Sequence, residues 1–579
     1  MSMTTPCTPP TPDPDAWQNW VNELDRHAQA TVGQITGGIS PVQAALVYLD
    51  WLGHLGTAPG KQLDLMKRFI EDAQATTERV LSPEDEVPAD KRFKSEGWRR
   101  FPFNAWAEGF LLMQRAWDRA THDVPGVGHK TEETATFAAR QWLDMMSPSN
   151  LPWLNPEVLQ ATAKEGGMNL VRGGQNWFDD WQHLVRGLPP SGAEQYEVGR
   201  NVAITPGKVV MRNDLIELIQ YSPTTDKVHA EPILIVPAWI MKYYILDLQP
   251  QNSLVKYLVD QGHTVFMISW KNPTADDRDK GMDCYRELGV MAALDTINRI
   301  VPDRKVHGVG YCLGGTMLMI AAAAMGRAHD DRLATMTLFA AQGDFTEAGE
   351  LLLFINDSEV SLIEAMMAEE GVLKGSQMAG TFQLLHSNDL IWSRVLKEYM
   401  LGQRGEPNDL MAWNADTTRM PYRMHSEYLR KLFLHNDLAS GRYEVDGSPV
   451  WFTDIRMPAF AVGTVTDHVA PWKSVYKLHL LPIDLTFVLT SGGHNAGIVS
   501  EPGHPRRHYQ IHHRPADEHY VDPDTWQATA PRVEGSWWPA WQTWLVEHSS
   551  GLVAPPRMGL PGGRKKALPD APGDYVRVP

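Results

Sequence analysis

The chain has 579 residues, more than one hydrophobic core usually spans, so two domains or one domain with large insertions are expected. With 70 acidic against 53 basic residues the net charge is -17, a field that repels polyanions and excludes a general nucleic-acid or anionic-membrane binder. The three cysteines, Cys7, Cys284 and Cys312, form no CxxC pair, which argues against a disulfide framework or a cysteine zinc site and fits a reducing cytoplasm.

Residues 1–16 are rich in Pro and Thr and read as a disordered lead, with Cys7 inside it. No basic start followed by an apolar stretch marks a signal peptide, and the longest apolar run, "MLMIAAAAMG", is too short for a transmembrane segment. Over residues 17–195 apolar side chains recur at three- and four-residue spacings, as in "PVQAALVYLDWLGHLG" and "GKQLDLMKRFIEDAQATTERVL". This predicts an all-helical N-terminal domain.

From residue 196 the pattern changes. "GKVVMRNDLIELIQY" alternates like an antiparallel pair, and short apolar runs follow: "PILIVPAW", "HTVFMISW", "KVHGVGY", "ATMTLFAA", "PAFAVGTVTD" and "LTFVLTSGGH". Helix-length amphipathic stretches such as "PQNSLVKYLVDQG" separate several of them, so residues 196–579 predict an α/β domain with a mainly parallel sheet. Residues from about 343 to 447 hold helical segments but no core strand, and they are too many for a plain loop. They read as an inserted helical cap over the site.

In "VHGVGYCLGGTML" a strand leads into a helix through Cys312, flanked by Gly310 and Gly314. That is the context of a nucleophile elbow, in which glycines permit the sharp turn and the helix N-terminus favours a thiolate. Its partners are expected at the ends of later strands, an acid first and a histidine last. Asp467 follows "PAFAVGTVT" and His494 follows "LTFVLTSGG", which gives His494 as base for the Cys312 thiol and Asp467 as the group fixing its tautomer. His468, next to Asp467, is a rival base. The oxyanion hole is expected from the N–H of Leu313 and an N–H among Ala238, Trp239 and Ile240, in the glycine-free loop after "PILIV".

The tryptophans of "GSWWPAWQTWL" read as core anchors, and the histidine-rich "HPRRHYQIHHRPADEH" as a solvated face without a metal site. There is no phosphate-binding glycine run.

Together "DKRFKSEGWRRFPFNAWAEGFLL", "SPSNLPWLNPEVLQATAKEGGMNLVRG", "GYCLGGT", "SNDLIWSRVLKEYMLG", "WNADTTRMPYRMHSEYLR" and "GSWWPAWQTWL" resemble the poly(3-hydroxyalkanoate) synthases, specifically the single-subunit class I type, of the α/β-hydrolase superfamily. The resemblance implies an α/β-hydrolase core and an acyltransferase that polymerises (R)-3-hydroxyacyl-CoA, foremost 3-hydroxybutyryl-CoA, into polyester with release of CoA. It implies a cytoplasmic homodimer that moves onto the surface of polymer granules, with phasin or granule contact through the N-terminal region, and it calls for no cofactor. By motif match Cys312 resembles the acyl-carrying nucleophile, Asp467 in "TDHVAPW" the aspartate and His494 in "GGHNAG" the histidine. Two departures lie near the site: "PAWIM" where the family more often has Pro-Pro or Pro-Cys then Ile-Asn, and Asn495 in place of an aliphatic residue.

The family also accounts for the thiol. Passing an acyl group from CoA to cysteine exchanges one thioester for another, so the intermediate stays activated for attack by an alcohol. Activating that 3-hydroxyl needs a base, either His494 or Asp467. Two other readings share the fold: a cysteine-dependent hydrolase of esters or thioesters, and a catalytically silent granule-binding homologue.

Overall fold

A computed structural model describes residues 16–81, 90–375, 377–378, 391–561 and 568–579. The expected disordered lead lies outside the described residues, Cys7 included, except that Ala16 opens the first helix. Among the described residues seven α-helices follow one another from Ala16 to Arg186, including Pro41–Gly56 and Pro59–Leu81. Ser40 caps the helix at Pro41 by accepting the N–H of Gln43, and proline at the first position suits a site where no N–H partner exists. Among the described residues no helix is long and apolar enough to cross a membrane.

Among the described residues the main sheet has ten strands, labelled in chain order: β1 Gly207–Arg212, β2 Ile216–Tyr221, β3 Ile233–Val236, β4 Val265–Trp270, β5 Val306–Tyr311, β6 Leu333–Phe339, β7 Ala459–Thr464, β8 Leu485–Thr490, β9 His508–Arg514 and β10 Arg532–Glu534. Their spatial order is β1-β2-β4-β3-β5-β6-β7-β8-β9-β10. From β4 to β8 all neighbours are parallel, while β1, β2, β9 and β10 join antiparallel at the two edges. The central strands are buried along their whole length, as parallel strands covered by helices on both faces must be.

The histidine-rich run is largely solvent-facing and also holds a strand: His508–Arg514 is β9, paired with β8 through Tyr509 opposite Thr490 and Ile511 opposite Val488. Tyr509 and Arg514 turn inward while His512 and His513 face out, so polar residues hide the strand's period from a search for apolar runs.

Between β6 and β7 the described residues add no strand to the main sheet. This interval holds the helix Asp357–Glu370 and the helical turns Tyr422–Glu427 and Tyr428–Leu434. The N-terminal helices dock on it. Gly33 sits so close to Met366 that a Cβ there would strike the thioether, Lys130 Nζ donates to the Ile355 carbonyl at 2.6 Å, and Asn169 and Asn176 donate to the carbonyls of Met400 and Glu398. Asp180 receives Arg394, Tyr399 and Arg404. Among the described residues, every hydrogen bond and ion pair leaving the helices of residues 16–186 for the C-terminal part ends between Ile355 and Arg404.

Candidate active site

Cys312 stands between β5 and the helix Leu313–Arg327 with φ +53° and ψ −125°. For a residue with a Cβ this conformation costs on the order of 1–3 kcal/mol, so the surroundings must impose it. Two glycines let them do so. A Cβ on Gly310 would strike Gly315, and one on Gly314 would strike the carbonyl oxygens of Val236 and Pro237, which presses the elbow against the end of β3. The Cys312 N–H donates to the Phe339 carbonyl at the end of β6, 2.9 Å away.

Asp467 lies three residues beyond β7, with its carboxylate wholly buried. Oδ1 accepts the N–H groups of Val469 and Ala470 at 2.9 and 2.8 Å, and Oδ2 accepts the Thr464 hydroxyl at 2.9 Å and meets His494 Nδ1 at 2.9 Å. Burial alone would raise this carboxyl, but His494 and the N–H donors outweigh it and hold its pKa below the usual carboxylate value. For His494 burial disfavours the imidazolium; the Asp467 charge, then the charge and hydrogen bond of Cys312, reverse that and raise its pKa to about 10. Cys312, Asp467 and His494, read from sequence onto three separate strand ends, thus meet in one buried group.

His468 directly follows Asp467, and its carbonyl lies against Gly349. The histidine on Asp467 Oδ2 is His494. The loop after β3 adjoins the elbow through Gly314, and its carbonyls are turned away into bonds of their own: Trp270 Nε1 donates to Pro237 at 2.9 Å and the Thr418 hydroxyl to Trp239 at 2.7 Å. Leu313 opens the helix after the elbow, so its N–H is one of the first-turn donors that have no intrahelical acceptor. Ile240 leads into the bridge between Met241 and Thr417 that ties this loop to the cap.

The interval between β6 and β7 brings Tyr428 near Cys312. Burial raises the Tyr428 phenol far above its ordinary pKa, and Cys312 lies near enough to add to the shift. The Tyr428 ring packs edge-on against Phe433 and Phe345, 5.2 and 6.3 Å between centroids. Tyr428, near Cys312, thus belongs to a packed cluster of aromatic rings.

Residues 231–501 match the α/β-hydrolase fold, residues 89–258 match the family described as poly-beta-hydroxybutyrate polymerase (PhaC) N-terminus, and residues 19–61 match poly-beta-hydroxybutyrate polymerase N terminal. The chain is 37% identical to the poly(3-hydroxyalkanoate) polymerase subunit PhaC of Rhizobium meliloti, over 91% of this chain and 87% of that one. It is 36% identical to the subunit of the same name from Cupriavidus necator, over 99% of this chain and 96% of that one. The chain belongs to the poly(3-hydroxyalkanoate) polymerases. It is accordingly an enzyme of the acyltransferase type on an α/β-hydrolase fold. A solved monoacylglycerol lipase from Paleococcus ferrophilus, at 13% identity and TM-score 0.32 over 56% of this chain and 98% of that one, is too remote to add to this.

In this polymerase several residues around the site carried no signal in the sequence reading. Thr464 ends β7 with a hydroxyl on Asp467, and Tyr428 sits in a segment whose helical spacing hid its place near the thiol. A tyrosine or threonine beside a triad cannot be told from a core residue until the strand ends are brought together.

Proposed function

We propose that this polymerase takes (R)-3-hydroxyacyl-CoA, foremost 3-hydroxybutyryl-CoA, and builds polyhydroxyalkanoate through a thioester on Cys312 with release of CoA. The observation that carries the reading is the strained Cys312 beside His494, itself anchored at Nδ1 by a buried Asp467. His494 takes the Sγ proton and the sulfur attacks the acyl carbonyl. The oxyanion is held by the N–H of Leu313 with an N–H from the loop Ala238–Ile240. Collapse breaks the bond to the CoA sulfur, which leaves with the proton from His494, and the acyl group stays on Cys312.

The 3-hydroxyl of a second acyl unit or chain end then attacks that thioester and needs a base. Four donors already fill the Asp467 carboxylate, so His494 is the group with proton-accepting capacity to spare. The aromatic cluster around Tyr428 keeps water from the thioester, which favours transfer over hydrolysis. In this reading residues 343–447 act as a mobile cap, and the protein works as a homodimer at the granule surface, with the exposed apolar side chains of the N-terminal helices available to polymer or phasin.

Incubating the full chain with (R)-3-hydroxybutyryl-CoA tests the reaction. Thiol release with turbid polymer supports it, thiol release with free hydroxy acid supports a hydrolase, and no release supports a silent granule-binding protein. Limited proteolysis within 343–447, with and without a non-hydrolysable acyl-CoA analogue, tests the cap; identical cleavage in both states would count against its movement.

A further inference from the structure

Tyr311 is the last residue of β5 and immediately precedes Cys312, while Asn495 immediately follows His494. The buried Tyr311 hydroxyl donates to Asn495 Oδ1 at 2.6 Å, and the rings of Tyr311 and His494 lie 5.6 Å apart, tilted by 31°. The Asn495 backbone is fixed as well, since its carbonyl accepts the N–H groups of Ile498 and Val499 at 3.1 and 2.9 Å. Burial, with the nearby Cys312 and Asp467 charges, keeps the phenol protonated and hence a donor, which fixes which end of the Asn495 amide it meets.

The topology shows why such a bond matters. β5 and β8 are separated in the sheet by β6 and β7, so their ends lie about 14 Å apart at about 4.8 Å per strand. His494 must reach back across that gap on a loop. Asp467 holds the imidazole at Nδ1 from the β7 side, and Cys312 meets it from the β5 side. The Tyr311–Asn495 bond spans the remaining distance, joining the covalent neighbour of the nucleophile to the covalent neighbour of the base.

We propose that Tyr311 and Asn495 form a brace that sets the separation of Cys312 and His494, and that both are positioning residues for thiol deprotonation. This rests on the Cys312–His494 reading above. The test uses the full chain with Tyr311→Phe, which removes one oxygen, Asn495→Leu, and the double variant. The readouts are the rate of acylation by (R)-3-hydroxybutyryl-CoA and the pH profile of Cys312 alkylation by iodoacetamide.

Each single variant should lower kcat about tenfold with KM unchanged and shift the alkylation profile, at an unchanged thermal midpoint. The double variant should lose no more than either single one, because all three break the same bond. Wild-type rates and profiles in Tyr311→Phe, or losses that multiply in the double variant, would overturn the brace. If iodoacetamide inactivated the wild type without labelling Cys312, the catalytic reading itself would fall, and the brace with it; intact labelling with an unmoved profile sinks the brace alone.

Discussion

The helices of residues 16–186 leave far more of their large aromatic residues exposed than the α/β region from Gly207 onward does. In the α/β region Trp537, Trp538 and Trp541 are fully buried, and their indole N–H groups donate to Gly497, Ile498 and Thr337, each at 3.0 Å. In the helical region Trp17 is 71% exposed, Trp142 67% and Trp177 53%, and its largest enclosed cluster is Phe93, Trp98, Ala107 and Phe110. A helix with an uncovered apolar face draws its stability from what it docks against rather than from its own core. Here the docking partner is the interval between β6 and β7. The comparison teaches that one half of the chain closes on itself around a reaction site, while the other is held by the cap of the first.

If the chemistry belongs to the closed half alone, the largest losses come from its strand ends. Cys312→Ala should abolish polymer formation, and His494→Ala should lower turnover about 10⁴-fold, by thiol release from acyl-CoA. Asp467→Asn should cost about 10²- to 10⁴-fold, because an amide no longer favours the His494 tautomer that presents a free Nε2. A Cys312→Ala variant that still made polymer would falsify the assignment.

The stability contrast comes next. Trp541→Ala should destabilise by about 3–5 kcal/mol in urea titrations, through the cavity it leaves beside Phe339. Trp142→Ala, on the open helical surface, should stay within about 0.5 kcal/mol. Equal losses at the two positions would erase the distinction between the regions.

Acid sharpens it further. Burial, helped by neighbouring His229, lowers the His263 imidazole to about 3, and burial lowers His307 on β5 to about 4. Both stay neutral in the folded state, while unfolded imidazoles take up protons below about 6.5. The unfolded state then binds more protons, so stability falls as the pH drops from about 6.5 toward 4, by up to about 1.4 kcal/mol per pH unit for each histidine. His263→Gln should flatten that slope by one such increment; an unchanged slope would place the acid sensitivity elsewhere.

Much of the closed half was legible because parallel strands buried on both faces are written as short apolar runs. Each of the six runs expected as core strands falls on one of β3 to β8, and the three triad positions follow β5, β7 and β8. The edge strands β9 and β10 escaped, since a strand carrying His508, Gln510, His512 and His513 has no apolar run to find. The helices at Pro41–Gly56 and Pro59–Leu81 were legible from their spacing, but their docking was not: contacts such as Gly33 against Met366 join residues more than 300 positions apart and leave no periodic trace. Tyr428 near the thiol is of the same kind.

The route by which the N-terminal helices attach also has a mechanical meaning. Among the described residues their polar hold on the rest of the chain runs through Ile355, Asp357–Glu370 and the residues from Arg394 to Arg404, all between β6 and β7. That interval and the helices are therefore springs in series with the sheet as the fixed wall, and a load placed on the outer spring is felt in the stretch that carries Tyr428 before it reaches the strands.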